Sequence, residues 1–122
     1  MNPIEVSYHD TDIAVVALYG EHDLATKDEL EETLQSLLES GQKIVVDVSE
    51  VEFIDSSVLN NFVLADRMAR ERGSTFTLQL TPAPGAHKAL EITGLLELLP
   101  SATSREHAIE VARNGSRCAE AV

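Results

Sequence analysis

Apolar residues recur first at every second position and then at every third or fourth, so the chain reads as strands giving way to helices. Ile4 to Tyr8 alternates apolar and polar as a half-exposed strand does, and Ile13 to Tyr19 is a nearly continuous apolar run suited to a strand covered on both faces. Asp10-Thr11-Asp12 between them has turn chemistry, which predicts a hairpin, with Gly20 ending the second strand. Thr26 and Glu29 have the spacing of a capping box, so a helix is expected to start there. Leu30, Leu34, Leu37 and Leu38 form its apolar stripe, and Gly41 supplies a left-handed stop. Ile44 to Val48, β-branched with one interrupting acid at Asp47, is expected to be a central strand. Strand, helix and strand in that order make a βαβ unit with parallel strands.

Val51-Glu52-Phe53-Ile54 leads into Asp55-Ser56-Ser57, whose serines stand where a second helix should be capped. Val58, Phe62, Ala65 and Ala69 keep the helical period until Gly73, and Thr75 to Leu80 alternates as a strand. Pro82 and Pro84 fence off a short helix holding Leu90 and ending near Gly94, followed by a weak strand at Leu96 to Leu99. Ser104 is placed to cap a last helix with Ala108, Ile109, Val111 and Ala112 inward, closed by Asn114-Gly115. The expected fold class is α/β: a mixed sheet of four or five strands with about four helices, in the order β-β-α-β-α-β-α-(β)-α. One domain should span residues 1–113, with 114–122 a disordered tail.

Charge narrows the choice of partner. The 122 residues carry 21 acids against 9 Lys and Arg, a formal net charge of −12, so nucleic acid and anionic membranes are disfavoured and a basic protein surface is favoured. The first half is the acidic one, with only Lys27 and Lys43 as bases up to residue 66. A single cysteine, Cys118, has no intrachain partner, and the four histidines are scattered, so no metal site or disulfide is expected. The N-terminus lacks the character of a signal peptide and no apolar run approaches the roughly 20 residues of a membrane helix, so the cytoplasm is the expected compartment.

Two polar clusters are candidates for chemistry. Asp55-Ser56-Ser57 offers a hydroxyl beside the amide groups of a helix start, where an anion is tolerated, although N-capping alone also accounts for it. Gly20-Glu21-His22-Asp23 leaves the preceding strand; neighbouring parallel strands share one rim, so Glu21, Asp23 and Asp55 are expected around Ser56. A hydrolase would use Ser56 as nucleophile, His22 as base and Asp23 or Asp55 to orient the ring, but no G-x-S-x-G elbow or phosphate-cradling glycine loop is present.

Taken in order, Gly20-Glu21-His22-Asp23 with Thr26, the strand Ile44 to Val48, Val51 to Ser57, and Ile92-Thr93-Gly94-Leu95 resemble a STAS domain of the bacterial anti-sigma-factor antagonist type over roughly residues 4–113. The resemblance implies the STAS fold, no enzymatic activity and no cofactor. It implies an anti-sigma factor that is also a serine-protein kinase as partner, phosphorylation at Ser56, and resetting by a phosphoserine phosphatase. Gly20, Glu21, His22, Asp23, Asp55, Ser57 and Val58 are then expected to bind the partner. Transcription would be controlled by partner switching, without contact to DNA. The family usually has Gly-Leu-Gly after the serine pair where this chain has Val58-Leu59-Asn60, so the β-branched side chain at position 58 is expected either to crowd a kinase or simply to strengthen the helix's packed face. The alternative is a scaffold or interaction module of a signalling or transport assembly, with Ser56 an unmodified cap.

Overall fold

The computed structural model describes residues 3–81 and 86–114. Their elements run β1 (Ile4–His9), β2 (Ile13–His22), α1 (Leu24–Glu39), β3 (Lys43–Ile54), α2 (Ser56–Glu71), β4 (Phe76–Gln79), α3 (Ala86–Thr93), α4 (Leu95–Leu98), β5 (Ser101–Ala102) and α5 (Arg105–Asn114). The five strands form one mixed sheet in sequence order, β1 antiparallel to β2 and the remainder parallel.

Helices cover the sheet unequally. On one face Ala14, Val16 and Leu18 of β2 and Ile44, Val46 and Val48 of β3 pack with Leu30, Leu34 and Leu38 of α1 and Val58, Phe62 and Ala69 of α2. The rings of Phe62 and Phe76 meet at 5.9 Å between centroids. On the other face a smaller core joins Ile13, Val15 and Val45 to Ala108, Ile109 and Ala112 of α5. The unbroken apolar run of β2 follows from this, since alternate side chains enter different cores.

Several boundaries differ from the sequence expectation. β2 does not end at Gly20 but passes through it to His22; Gly20 adopts φ +77°, open to glycine at little cost, and the register against β3 shifts there. β3 likewise continues through Ile54. The strand expected at Leu96 to Leu99 is instead α4: Gly94, left-handed at φ 78°, turns the chain so that Leu95 and Leu96 pack on the larger core, and the short strand falls at Ser101–Ala102. Val111 is only partly buried, while Ala108, Ile109 and Ala112 face inward as expected. Pro82, Pro84 and residues 115–122 of the expected tail lie outside the described residues, while Asn114 is the last residue of α5.

Candidate functional site

Two strand-to-helix turns stand side by side at the carboxyl ends of β2 and β3. His22 pairs with Ile54 in the parallel ladder, and the Asp55 amide donates to the His22 carbonyl at 3.1 Å, which ties the turns together. Each turn ends on an aspartate that caps the helix it opens. Asp23 accepts from the Ala25 amide at 2.9 Å, so α1 begins two residues before the expected capping box and Thr26 is left for another contact. Asp55, rather than either serine, caps α2. An aspartate in extended geometry reaches the amides of the first turn, which a serine one position later, already helical, does not.

The two serines are thereby separated in role. Three donors converge on Asp55 Oδ1: the Ser57 amide at 3.0 Å, the Val58 amide at 3.3 Å and the Ser57 hydroxyl at 2.5 Å. The Ser57 hydroxyl, and then the Val58 and Ser57 amides, hold the Asp55 carboxyl below its ordinary value against the opposing effect of desolvation. Ser57 is committed. Ser56 is exposed, and its hydroxyl makes no hydrogen bond to any described residue. It stands at the first position of a 16-residue helix, where the helix dipole favours added negative charge.

The remaining expected site residues divide between surface and interior. Glu21 is exposed and Asp23 half-buried on the rim. His22 is wholly buried, its Nδ1 hydrogen-bonded to Thr26 Oγ1 at 3.0 Å. Burial lowers its pKa, against the pull of the Pro3 and Tyr19 carbonyls and the charges of Asp23 and Glu29. As a docking residue it is corrected: it supports the turn from beneath. The hydrolase pairing is not seen either: the ring's Nδ1 goes to Thr26, and among the described residues no hydrogen bond joins His22 to Ser56. Val58 is fully enclosed in the larger core, the packed face to which its helical period assigns it, and its side chain does not crowd the surface, while Asn60 is exposed.

Rim features that the sequence reading left out are apolar. Leu24 opens α1 as Ser56 opens α2, and it is 71% exposed; Phe53, paired with Glu21 near the end of β3, is 51% exposed. Leu24 lies outside the stripe of Leu30, Leu34, Leu37 and Leu38, the one available signal that it faces out. Asn61 was also missed: buried in α2, it donates to the Lys27 carbonyl at 3.0 Å and joins the two helices.

A family model described as Mlab, STAS domain matches residues 7–100. The chain is 31% identical over 97 residues to an anti-sigma-B factor antagonist of Listeria monocytogenes, covering 79% of this chain and 84% of that protein. A solved anti-sigma factor antagonist from Mycobacterium paratuberculosis superposes with a TM-score of 0.78 at 25% identity, covering 90% of this chain and 92% of the other. The Bacillus cell fate determinant SpoIIAA in its phosphorylated form superposes with a TM-score of 0.68 at 19% identity, covering 88% and 96%.

Proposed function

We propose that this chain, which belongs to the STAS domain family, is an anti-sigma-factor antagonist switched by phosphorylation of Ser56. Unphosphorylated, it binds an anti-sigma factor that is also a serine-protein kinase and so releases a sigma factor in the cytoplasm. Phosphorylation ends the binding, and a phosphoserine phosphatase restores it. The observation that carries this is the inequality of the serines: Ser57 is held by Asp55 at 2.5 Å, and Ser56 is exposed at the helix start. Glu21, Asp23, Leu24 and Phe53 provide the docking rim, with the two apolar side chains as anchors. The Listeria relative carries the name of such an antagonist, and a Bacillus protein of this fold exists in a phosphorylated form.

Charge explains the switch without a change of fold. A phosphate adds about −1.5 to −2 charges to a rim already holding Asp55, Asp23 and Glu21. Against one partner carboxylate about 6 Å away, at an effective dielectric near 20, each unit pair costs roughly 3 kcal/mol and the phosphate about 4–5 before screening. Even about 3–4 kcal/mol weakens a micromolar complex some hundred- to thousandfold.

The test is incubation with the cognate kinase and ATP, followed by phosphopeptide mapping and calorimetric binding. Modification at Ser56, abolished by Ser56→Ala and retained by Ser57→Ala, is the expected result. Absence of modification at Ser56, with cycling intact in Ser56→Ala, overturns it. The scaffold alternative rested on Val58 and Asn60; with Val58 turned into the core, only Asn60 still motivates it.

A further inference from the structure

We infer that the groove between β1 and α1 is a second docking surface, which takes a basic amphipathic helix of a partner protein. The sheet carries its helical layer unevenly: α1 packs on β2 and β3, and α2 on β3 and β4. On β1, the first strand in the sheet order, Val6 and Tyr8 alternate to the side of α1 and stay 38% and 65% exposed. Together with Leu37 of α1 they make an apolar floor, and Glu29, Glu32 and Thr33 form the wall. The groove holds about 360 Å³, against about 40 Å³ in the cleft between α1 and α2, so it admits side chains where that cleft admits a few waters.

Shape and charge select the occupant. A helix packed about 8–10 Å from α1 lies over β1 and extends the layer by one element, with its apolar stripe on Val6 and Tyr8. Glu29 to Leu37 spans roughly 12 Å of α1, so about two to three turns of a partner fill the groove. Glu29 and Glu32 make no salt bridge among the described residues. The one base of α1, Lys27, is turned to Asp28 and Glu31, on the side where its carbonyl meets Asn61 of α2. β1 has no Lys or Arg. A partner helix with Lys or Arg flanking its apolar stripe therefore meets both carboxylates, while a second copy of this chain, also at −12, is repelled.

The groove is separate from the Ser56 rim. Tyr8 pairs with Ala14 near the start of β2, whereas His22 ends that strand; at about 3.3 Å per residue the two places lie roughly 26 Å apart. A helix seated here leaves Ser56 uncovered. Its binding is independent of phosphorylation and does not rest on the function assigned to that serine.

The test is an NMR titration of the full chain with a synthetic peptide of about four helical turns, built of Lys, Ala and Leu with the Leu on one face. The amides of Val6, Tyr8, Thr33 and Leu37 should shift, with a dissociation constant of about 10–100 μM. Tyr8→Ser should weaken binding about tenfold, and Glu29→Gln combined with Glu32→Gln about three- to tenfold. All three residues are exposed, so the fold should tolerate the changes. Glu91→Gln combined with Glu97→Gln, which removes as much charge from exposed sites on α3 and α4, should leave binding unchanged. A peptide with each Leu replaced by Ser should not bind. Equal losses from the two glutamine pairs would reduce the interaction to net charge and overturn the proposal. So would a peptide bound in extended form, which gives the groove to a strand, or sedimentation of the chain alone as a dimer that Tyr8→Ser dissolves, which gives it to a second copy.

Discussion

Ser57 Oγ donates to Asp55 Oδ1 at 2.5 Å, and this contact makes two adjacent hydroxyls inequivalent. Asp55→Ala removes the acceptor for the hydroxyl and for two amides of the first turn. Loss of such a cap costs about 1 kcal/mol, read as a lower urea midpoint. It also frees Ser57, so phosphopeptide mapping should find modification spread over both serines. Asp55→Asn, an equally good cap, should keep most of the stability.

Ser56→Asp should weaken binding to the kinase about ten- to a hundredfold, because one unit charge costs roughly 3 kcal/mol at about 6 Å before solvent screening reduces it. Folding stability should stay within about 0.5 kcal/mol of the parent, since the side chain is exposed. The binding loss should shrink in titrations at high salt. A loss that is independent of salt would assign the switch to bulk rather than charge.

The order of elements and the larger core were legible because each stripe has one period and one destination. Leu30, Leu34, Leu37 and Leu38, and likewise Val58, Phe62, Ala65 and Ala69, all face inward. Boundaries were less so. Asp23 and Asp55 cap where Thr26 and the serines were expected, since Asp, Ser and Thr compete for the same amides and only backbone geometry decides. Leu96 to Leu99 was ambiguous because a short apolar run fits a helical turn as well as a strand. Burial of His22 could not be read from a polar neighbourhood of Gly20, Glu21 and Asp23; it follows from the strand continuing through the positive φ of Gly20.

His22 makes stability depend on pH. Burial lowers its folded pKa from the ordinary 6.5, so the unfolded chain takes up a proton first as pH falls. Stability is therefore full above about 6.5 and declines as pH drops through that value toward the folded pKa, by up to about 1.4 kcal/mol per unit. Urea unfolding at intervals between neutral and mildly acid pH should show this slope. His22→Gln should lower stability at neutral pH by losing the Thr26 contact, yet flatten the slope. An unchanged slope would assign the acid sensitivity to other groups.

Asp47, the acid interrupting β3, is buried on the face covered by α5, where Arg105 Nη2 donates to its Oδ2 at 2.7 Å. The Ser49 amide and hydroxyl fill Oδ1 at 2.9 and 2.6 Å, and Arg105 Nε donates to Gln79 Oε1 at 2.5 Å. The strand's one break in hydrophobicity is thus matched by a guanidinium 58 residues away. Because Arg105 is 43% exposed, solvent weakens the pair, and Arg105→Leu should cost about 1–2 kcal/mol rather than the 3–5 of a fully buried pair. Most of that cost is the carboxylate left behind. Adding Asp47→Leu to Arg105→Leu should therefore recover much of the loss, a sign reversal that a double-mutant cycle in urea would register as coupling above about 1 kcal/mol. Strict additivity of the two substitutions would mean that the charge at Asp47 is balanced by Ser49 alone and that Arg105 does not hold α5 through it.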